Sequence, residues 1–497
     1  MKRLARLVSG VLLLTAVAAA GRGGVYPAET LPAPEYHNHS FELLSNSRYS
    51  VHSGFTEDLP RQVLANVLWA MSRVPRLGTY REIYVATPEN VYLYEPGSNT
   101  LVVHRTGDLR YNSGSAFEAG IACARHEEAG MAIQAGLLAA TAFWARGGGL
   151  VASCPMRWAT DYANANWGPA HTIRMVNVCG RAQTEGLDTL LVALSSDSSL
   201  PLPHVIGEDA FEPLLAELRQ DSQFGAIAPS IENISQLLWA AYGVTPHNAL
   251  NARQGLTVPS SMANYHLTGR IYLVRSEGVD RFHNRLPPGN NLNTADHRLE
   301  RVVIGDRRPE LRQASERIPQ NAPIYFVIAV SDTSGYAPMQ EAGFAAFQFL
   351  MQAAALGLNG YLTVPLTTTE RSAIANALSL PAGQYPAVVF SCGERVTGIA
   401  ERSADGMVRI VRGQSAVRRG VLRVEYLLRR SGEVRVEVFD LLGRPVRLLL
   451  DAVQSSGYHS IVWDGTDEQG SRVKRGTYVV VVSAEGEAAQ HRVNWSR

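Results

Sequence analysis

The sequence ISQLLWAAYGV occupies residues 234–244, and its Leu-Trp-Ala part at 238–240 also occurs at 68–70. Further matching pairs follow in the same order in both halves of the chain: Gly107-Asp108 with Gly305-Asp306, Glu128-Ala129-Gly130 with Glu341-Ala342-Gly343, and Cys179-Gly180 with Cys392-Gly393. Gly130 lies 50 residues before Gly180, and the corresponding glycines of the second half have the same spacing. Because equal spacing over such a length seldom arises by chance, the pattern predicts an internal repeat.

Each copy has the pattern of an α+β fold. An alanine-rich segment follows each Glu-Ala-Gly, at residues 130–144 and 343–358, and is apolar on nearly every side. This is typical of a buried central helix. Strands are predicted at 82–86, 91–94, 172–178, 270–274 and 387–391. The second copy has a further apolar strand at 324–330 without an evident counterpart, so the first copy is predicted to be trimmed.

The C-terminal part of the chain has a different pattern from about residue 420 onwards. Residues 434–438 alternate apolar and polar side chains, residues 478–482 form an apolar run, and turn residues lie between them. This pattern predicts a small antiparallel β-sandwich. The predicted domains are therefore a first repeat at 22–205, a second repeat at 206–412 and the sandwich at 413–497, after a signal segment.

The predicted signal segment covers residues 1–21. Lys2, Arg3 and Arg6 precede a mostly apolar run at 8–20, which ends in three alanines. This pattern is typical of a secretory signal, and the run is short for a membrane span. We therefore expect an exported protein, either secreted, periplasmic or at the cell surface. The alternative is an uncleaved N-terminal anchor.

Composition and motifs exclude several functional classes. The 46 basic and 45 acidic residues give a net charge of +1, which offers no electrostatic surface for nucleic acid or anionic membranes. Lys2 and Lys474 are the only lysines, and neither lies where a pyridoxal Schiff base or a GxxxxGK[ST] loop needs one. The four cysteines form no CxxC pair, so no zinc site is expected. A Cys154–Cys179 disulfide and buried free thiols are both open.

The second copy resembles the nitroreductase family, and within it the branch of thiazole/oxazole-forming oxidases. The resemblance is carried by residues 234–244, by Arg253 followed by Thr-Val-Pro-Ser-Ser at 257–261, and by Gly343, Gln352 and residues 353–358. It covers most of residues 212–395. The first copy resembles the family more faintly, at 66–70, 92–94 and the segment from Gly130 to Gln134. Nitroreductases are homodimers that bind FMN between their subunits. The resemblance therefore implies an intrachain pseudo-dimer of two fused repeats, with FMN at their interface.

The resemblance also implies which residues hold FMN. The family binds the phosphate through Arg-x-Ser-x-Arg, and the first copy has Arg48 and Ser50 in this pattern, with His52 in place of the second arginine. The second copy keeps Arg219 but has Asp221 and Gln223 in the other two positions. The Pro-Ser segment that lies under the ring occurs only in the second copy. We therefore expect at most one composite site, and no catalytic residue is assigned. The other residues assigned to FMN are Arg253, Pro259, Ser260, Ser261 and Asn264, together with Gly148 after the first central helix.

Other conspicuous residues are expected to have structural roles. Asp108 and Asp306, each after a glycine and just before an arginine, are predicted to form loop ion pairs, and Trp69 and Trp239 to lie in the core. Four histidines are expected to be structural or exposed, with no assignable partner acid: His52, His104, His126 and His283.

The sandwich resembles the immunoglobulin-like module of flagellar hook-capping proteins and the tail domains of type IX secretion cargo. The resemblance is carried by residues 438–444, 457–465 and 476–478. It implies contact with the cell surface or the secretion machinery, as a sorting signal or an adhesion module.

Two hypotheses follow for the whole chain. The first is an exported FMN-dependent oxidoreductase with a small-molecule electron donor and acceptor, which the retained Pro-Ser segment favours. The second is a non-catalytic scaffold of the same fold that binds a ligand or partner, which the altered Arg-x-Ser-x-Arg segments favour.

Overall fold

The structure is a computed structural model. It describes residues 28–495 except 49, 51–53, 58, 146–149, 183–186, 188, 197, 247–254, 261–263, 286–294, 396–407, 414–420, 429–430, 441–442, 456 and 486. The predicted signal segment therefore lies outside the described residues. We call residues 28–182 the first region, residues 211–395 the second region and residues 408–495 the sandwich.

The first region is an antiparallel sheet with helices packed on it. Its strands are β1 (Glu29–Thr30), β2 (Arg81–Ala86), β3 (Asn90–Glu95), β4 (Thr100–Thr106), β5 (Phe117–Cys123), β6 (Leu150–Met156) and β7 (Ile173–Ala182), and its helices are α1 (Phe41–Ser47), α2 (Arg61–Arg73), α3 (His126–Thr141) and α4 (Arg157–Asn166). The strand order is β1-β4-β3-β2-β5-β7-β6. The apolar side chains of β5 and α3 are buried along the whole of both elements, which places them at the centre of this region.

The second region has the same kinds of element. Its helices are α5 (Phe211–Ala216), α6 (Ile231–Tyr242), α7 (Arg308–Gln313), α8 (Tyr336–Ala355) and α9 (Thr368–Ala377), and its strands are β8 (Val244–Thr245), β9 (Gly255–Leu256), β10 (Ile271–Arg275), β11 (Gly278–Arg285), β12 (Ala295–Ile304), β13 (Ile324–Val330), β14 (Leu358–Thr363) and β15 (Tyr385–Glu394). The larger sheet has the order β12-β11-β10-β13-β15-β14, while β8 and β9 pair separately.

The two main sheets share one strand order, because β2 to β7 take the same positions in turn as β10 to β15. The expectation that strand 324–330 has no counterpart is therefore wrong, since β5 takes the place of β13 between its two neighbours. The β5 sequence FEAGIAC contains two alanines and a glycine, and these residues give a weak strand signal. The main sheet of the first region therefore has a counterpart for each strand of the second region's main sheet, and it is not trimmed.

The central helices α3 and α8 are in backbone contact at two glycines. A Cβ atom added to Gly130 would overlap the carbonyl oxygen of Gln340, and one added to Gly343 would overlap the carbonyl oxygen of Glu127. Each of these carbonyls lies three residues before the glycine of its own helix, so the two contacts are reciprocal. Glycine permits this close backbone approach because it has no Cβ.

A second reciprocal contact joins the starts of α1 and α5. The Phe41 amide donates to the Asp209 carbonyl oxygen at 3.2 Å, and the Phe211 amide donates to the His39 carbonyl oxygen at 3.0 Å. One hydrophobic cluster contains side chains of both regions, including Trp69 and Trp239. Their predicted core positions are confirmed, since they are 6% and 1% exposed.

The sandwich consists of two antiparallel sheets. Its strands are β16 (Val408–Gly413), β17 (Leu422–Leu428), β18 (Gly432–Asp440), β19 (Pro445–Gln454), β20 (Gly457–Trp463), β21 (Gly476–Ala484) and β22 (Glu487–Trp495). The sheet orders are β16-β17-β20 and β19-β18-β21-β22. The ring centroids of Trp463 and Trp495 lie 4.8 Å apart in the core between the two sheets. Because β16 pairs with β17, the sandwich includes strand residues that precede the predicted boundary at 413.

The cysteine alternatives can now be compared. Cys179 is buried, and the register of β6 and β7 places it opposite Ser153, with Cys154 opposite Val178. The Cys154–Cys179 disulfide stays a prediction. Cys123 and Cys392 are buried free thiols. Within the described part of the chain, no helix combines the length and the apolar character needed to cross a bilayer.

Candidate functional site

Arg48 connects the first region to the segment just before the Pro-Ser motif. It follows α1 and is 5% exposed. Its Nε donates to the Thr257 carbonyl oxygen at 3.2 Å and its Nη2 to the Leu256 carbonyl oxygen at 2.8 Å, while Nη1 donates to Ser50 Oγ at 2.8 Å. The structure thus brings Arg48 and Ser50 of the first region next to residues 256–257 of the second.

Two glutamines from the central helices meet at the same backbone carbonyl. Gln134 of α3 and Gln348 of α8 donate through Nε2 to the Thr257 carbonyl oxygen at 3.0 and 3.2 Å. Their Oε1 atoms are buried and have no hydrogen-bond partner among the described residues. Neither glutamine was predicted from the sequence to belong to the site. The signal was present, because a polar side chain in an otherwise apolar central helix needs a buried partner.

Ser260 is linked to a buried carboxyl group on α8. Its Oγ donates to Glu341 Oε2 at 2.8 Å and accepts a bond from the Tyr265 amide at 2.7 Å. The Tyr242 hydroxyl also donates to Glu341, and the Leu267 amide approaches Glu341 Oε1 at 3.4 Å. Burial raises the pKa of Glu341 to about 7, and burial with the neighbouring carboxyl raises the pKa of Tyr242 well above its usual value.

Arg285 lies close to this cluster. It is 3% exposed, its guanidinium lies 4.4 Å from the centre of the Tyr265 ring, and Nη2 donates to the Thr268 hydroxyl. Its Nε and Nη1 have no partner among the described residues. Burial lowers the pKa of Arg285, while the charges of Tyr242 and Glu341 act to raise it.

The corresponding glutamate of the first region has different partners. Glu128 Oε1 accepts from Arg81 Nε at 2.6 Å, and Oε2 accepts from the amides of Leu77 and Gly78 at 2.8 and 3.0 Å. The Glu128 side chain is fully buried and that of Arg81 is 10% exposed. This glutamate is held as the anionic member of an ion pair.

The structure describes only some of the remaining residues that were predicted to bind FMN. Pro259 is buried and Asn264 is exposed. Gly148, Arg253 and Ser261 lie outside the described residues, as does His52. In the second region, Asp221 Oδ1 accepts from the Gln223 amide at 3.0 Å, so this aspartate stabilises its own turn.

The predicted loop ion pairs are confirmed. Asp108 Oδ2 lies 2.6 Å from Arg110 Nη2, and Asp306 Oδ2 lies 2.7 Å from Arg308 Nη2. Each aspartate also accepts from the backbone amide of its arginine. In the described part of the chain, no group of histidine, cysteine or acidic side chains has a metal-binding arrangement.

Comparison with known families identifies two domain classes in the chain. Residues 222–394 match the nitroreductase family, and residues 416–488 match the FlgD Ig-like domain. The chain thus contains a nitroreductase-family domain followed by an immunoglobulin-like domain, as the sequence resemblance predicts.

Several solved structures that are similar to the chain are described as nitroreductases. One assigned to this class from Anabaena variabilis has 10% identity and a TM-score of 0.48, and the match covers 68% of this chain and 89% of that one. An FMN-dependent nitroreductase from Clostridium difficile has 17% identity and a TM-score of 0.25, over 36% and 84% of the two chains. One from Desulfovibrio desulfuricans, solved in complex with FMN, has 16% identity and a TM-score of 0.26, over 38% and 90%. No curated protein sequence matches the chain.

Proposed function

We propose that the chain is an exported oxidoreductase that holds FMN between two fused nitroreductase-like repeats, paired as a dimer within one chain. The observation that carries this proposal is the position of Arg48, which donates to the Leu256 and Thr257 carbonyl oxygens beside Ser50. The expected phosphate-binding residues of one region therefore adjoin the expected ring-binding segment of the other. The shared strand order and the reciprocal glycine contacts support the pairing.

The side chains around Thr257 have properties that suit a flavin. Gln134 Oε1, Gln348 Oε1 and Trp239 Nε1 are buried without a partner among the described residues. An unpaired buried polar atom costs about 1–3 kcal/mol, and the polar edge of a flavin offers both donors and acceptors. Arg48 supplies a permanent positive charge for the phosphate. When bound, FMN supplies electron transfer between a small-molecule donor and acceptor.

A second candidate is a non-catalytic scaffold of the same fold. The observation in its favour is that Arg48 and Ser260 already have partners within the protein. Three guanidinium N–H groups of Arg48 donate to residues 50, 256 and 257, and the Ser260 hydroxyl donates to Glu341. On this view the residues stabilise the interface, and the chain presents a binding surface without redox activity.

We further propose that the mature protein is secreted, periplasmic or displayed at the cell surface, and that the sandwich contacts the surface or the secretion machinery. The basic start and apolar run of residues 1–21 support export. Cell fractionation and N-terminal sequencing test this: a mature chain that begins near residue 22 outside the cytoplasm is expected. Full-length protein in the cytoplasm would contradict it.

The flavin proposal is tested by the visible absorbance spectrum of the purified mature chain, before and after addition of FMN. A single bound FMN per chain is expected, with binding at least tenfold weaker in Arg48→Gln. The matched control is Arg219→Gln, because Arg219 is the equivalent arginine of the segment that contains Asp221 and Gln223. This variant is expected to bind FMN as the unmodified chain does.

The outcomes separate the two candidates. A colourless chain that takes up no FMN, but melts cooperatively, contradicts the oxidoreductase and favours the scaffold. Equal losses in Arg48→Gln and Arg219→Gln contradict the single composite site. Thermal melting of each variant identifies any loss of binding that is caused by unfolding.

A further inference from the structure

A polar cavity lies between the two regions, at the N-terminal ends of the central helices α3 and α8. Its volume is about 300 Å³, and its lining includes Arg125 of the first region and Thr333, Thr368 and Arg371 of the second, with residues 365–367 between them. Arg125 immediately precedes α3 and Thr333 lies three residues before α8. Gln348 is 12 residues into α8, which corresponds to about 18 Å along the helix at 1.5 Å per residue. The cavity is therefore separate from the residues around Thr257.

The two arginines of the cavity have unused donors. Arg371 Nε donates to the Leu366 carbonyl oxygen at 3.1 Å and Nη1 to the Pro386 carbonyl oxygen at 2.7 Å, which fixes the guanidinium. Its Nη2 has no acceptor among the described residues. The Arg125 side chain is exposed and forms no hydrogen bond or ion pair with any described residue, so its donors are open to a ligand that enters from solvent. Burial lowers the pKa of Arg371; the charge of Glu127 acts to raise this pKa, and the charge of Arg125 acts to lower it. Two like charges thus face one space from different regions.

The acidic groups near the cavity do not neutralise this charge. Glu370 is paired with Arg317 at 2.7 Å, and Asp332 Oδ1 accepts from the amide and hydroxyl of Ser334. Glu127 is 4% exposed, and its pKa is raised by burial although both cavity arginines act to lower it. A single buried carboxyl group therefore faces two arginines, which leaves a net positive charge.

We propose that this cavity binds a small molecule with two anionic groups, either phosphates or carboxylates. Arginine suits both because its planar guanidinium donates parallel hydrogen bonds to two oxygens. The Thr333 and Thr368 hydroxyls and the first turn of α9 offer further donors on the same wall. The volume is at the lower end of the range of about 300–1,000 Å³ for small-molecule sites, so the ligand is small.

The test is calorimetric titration of the full chain with inorganic pyrophosphate and with succinate, at constant ionic strength. Saturable binding to one site is expected for one of these anions, and its identity distinguishes phosphate from carboxylate recognition. Arg125→Gln and Arg371→Gln are each expected to weaken binding at least tenfold. Arg475→Gln, which removes one exposed charge from the sandwich, is expected to leave binding unchanged.

Several results would overturn the proposal. These are the absence of saturable binding of both anions, an equal loss in Arg475→Gln, and unchanged binding in Arg125→Gln. The last variant is decisive even if Arg371→Gln unfolds, because the Arg125 side chain supports no described residue. Displacement of bound FMN by the anion would also overturn it, since the cavity would then belong to the flavin site. Failure to bind FMN at all leaves the anion titration valid, so the two proposals fail separately.

Discussion

Glu128 and Glu341 occupy the same place in two regions of the same strand order, yet they have opposite electrostatic environments. Glu128 is paired with Arg81 at 2.6 Å and accepts from two backbone amides. Glu341 accepts from the hydroxyls of Ser260 and Tyr242, and burial raises its pKa to about 7. The first glutamate is a structural anion. The second is a neutral or weakly acidic group beside the Pro-Ser segment. The glutamate at this position of the fold therefore stabilises the structure in the first region and forms a titratable group in the second.

The largest expected effect comes from replacing each glutamate by glutamine at pH 6. Glu128→Gln leaves the Arg81 charge buried without its pair, which is expected to lower the free energy of unfolding by about 4 kcal/mol. Glu341→Gln replaces a carboxyl that is mostly protonated at this pH, so a loss of about 1 kcal/mol is expected. Urea denaturation of both variants measures the difference.

The control for this comparison is the double variant Glu128→Gln with Arg81→Gln. It removes both charges, so it is expected to recover part of the stability lost in the single variant. Equal losses for Glu128→Gln and Glu341→Gln would contradict the contrast between the two sites.

The second effect is the pH dependence of stability that Glu341 supplies. Its pKa is about 7 in the folded chain, against an ordinary value of 4.5. The folded state therefore holds one proton more than the unfolded state between these pH values, so stability falls as the pH rises from 4.5 to 7. Over this pH range, Glu341 is expected to change the free energy of unfolding by about 3 kcal/mol.

Measurement of unfolding free energy against pH, in the unmodified chain and in Glu341→Gln, isolates this contribution. The comparison is needed because burial also raises the pKa of Glu118 to about 7, which adds a slope of the same sign. The glutamine variant is expected to lose only the part of the slope that Glu341 supplies, and to keep the parts from Glu118 and Glu127. Identical slopes in the two proteins would show that Glu341 is ionised in the folded state.

The contrast between the two regions also separates what the sequence could predict from what it could not. The two central helices and the loop ion pairs were predicted because short motifs and apolar periodicity are local properties, whereas the tandem repeat stays a prediction. Strand β5 was missed because FEAGIAC has the composition of neither a typical strand nor a helix. Local sequence does not specify which side chains meet across the interface.

The residues of the candidate site could likewise be predicted only where a local motif marks them. Arg48 and Ser50 were assigned from a motif, and the structure places them against residues 256–257. Gln134 and Gln348 are more than two hundred residues apart in the chain. Their meeting at one carbonyl depends on how α3 and α8 cross, which is a property of tertiary packing. Glu341 was seen as part of a repeated motif, but its titration depends on partners supplied by loops of the second region.

The third prediction concerns the crossing of α3 and α8, where the two regions are equivalent. Gly130→Ala and Gly343→Ala are each expected to lower the free energy of unfolding by about 2 kcal/mol, because the added Cβ overlaps a carbonyl oxygen of the other helix. The two losses should be similar, since the contacts are reciprocal. The control is Gly136→Ala in α3, whose Cβ would meet the flexible Met71 side chain at 3.0 Å. This control variant is expected to leave the melting temperature nearly unchanged. A markedly larger loss of stability in one of Gly130→Ala and Gly343→Ala than in the other would argue against a symmetric interface.

The smallest effect concerns the two Gly-Asp turns, which share the pattern Gly-Asp-x-Arg and differ in burial. Arg110 has a side chain that is 2% exposed and also pairs with Glu57 at 2.7 Å, whereas the Arg308 side chain is 23% exposed. Asp108→Asn is therefore expected to cost about 1 kcal/mol, and Asp306→Asn about 0.3 kcal/mol, because solvent weakens the more exposed pair. Urea denaturation at low and high salt measures both, and salt should reduce the Asp306 effect more strongly. Since asparagine can keep the hydrogen bond to the backbone amide, the difference reports on the ion pair and not on the turn. A larger cost at Asp306 than at Asp108 would mean that burial of the arginine does not control the strength of these turns.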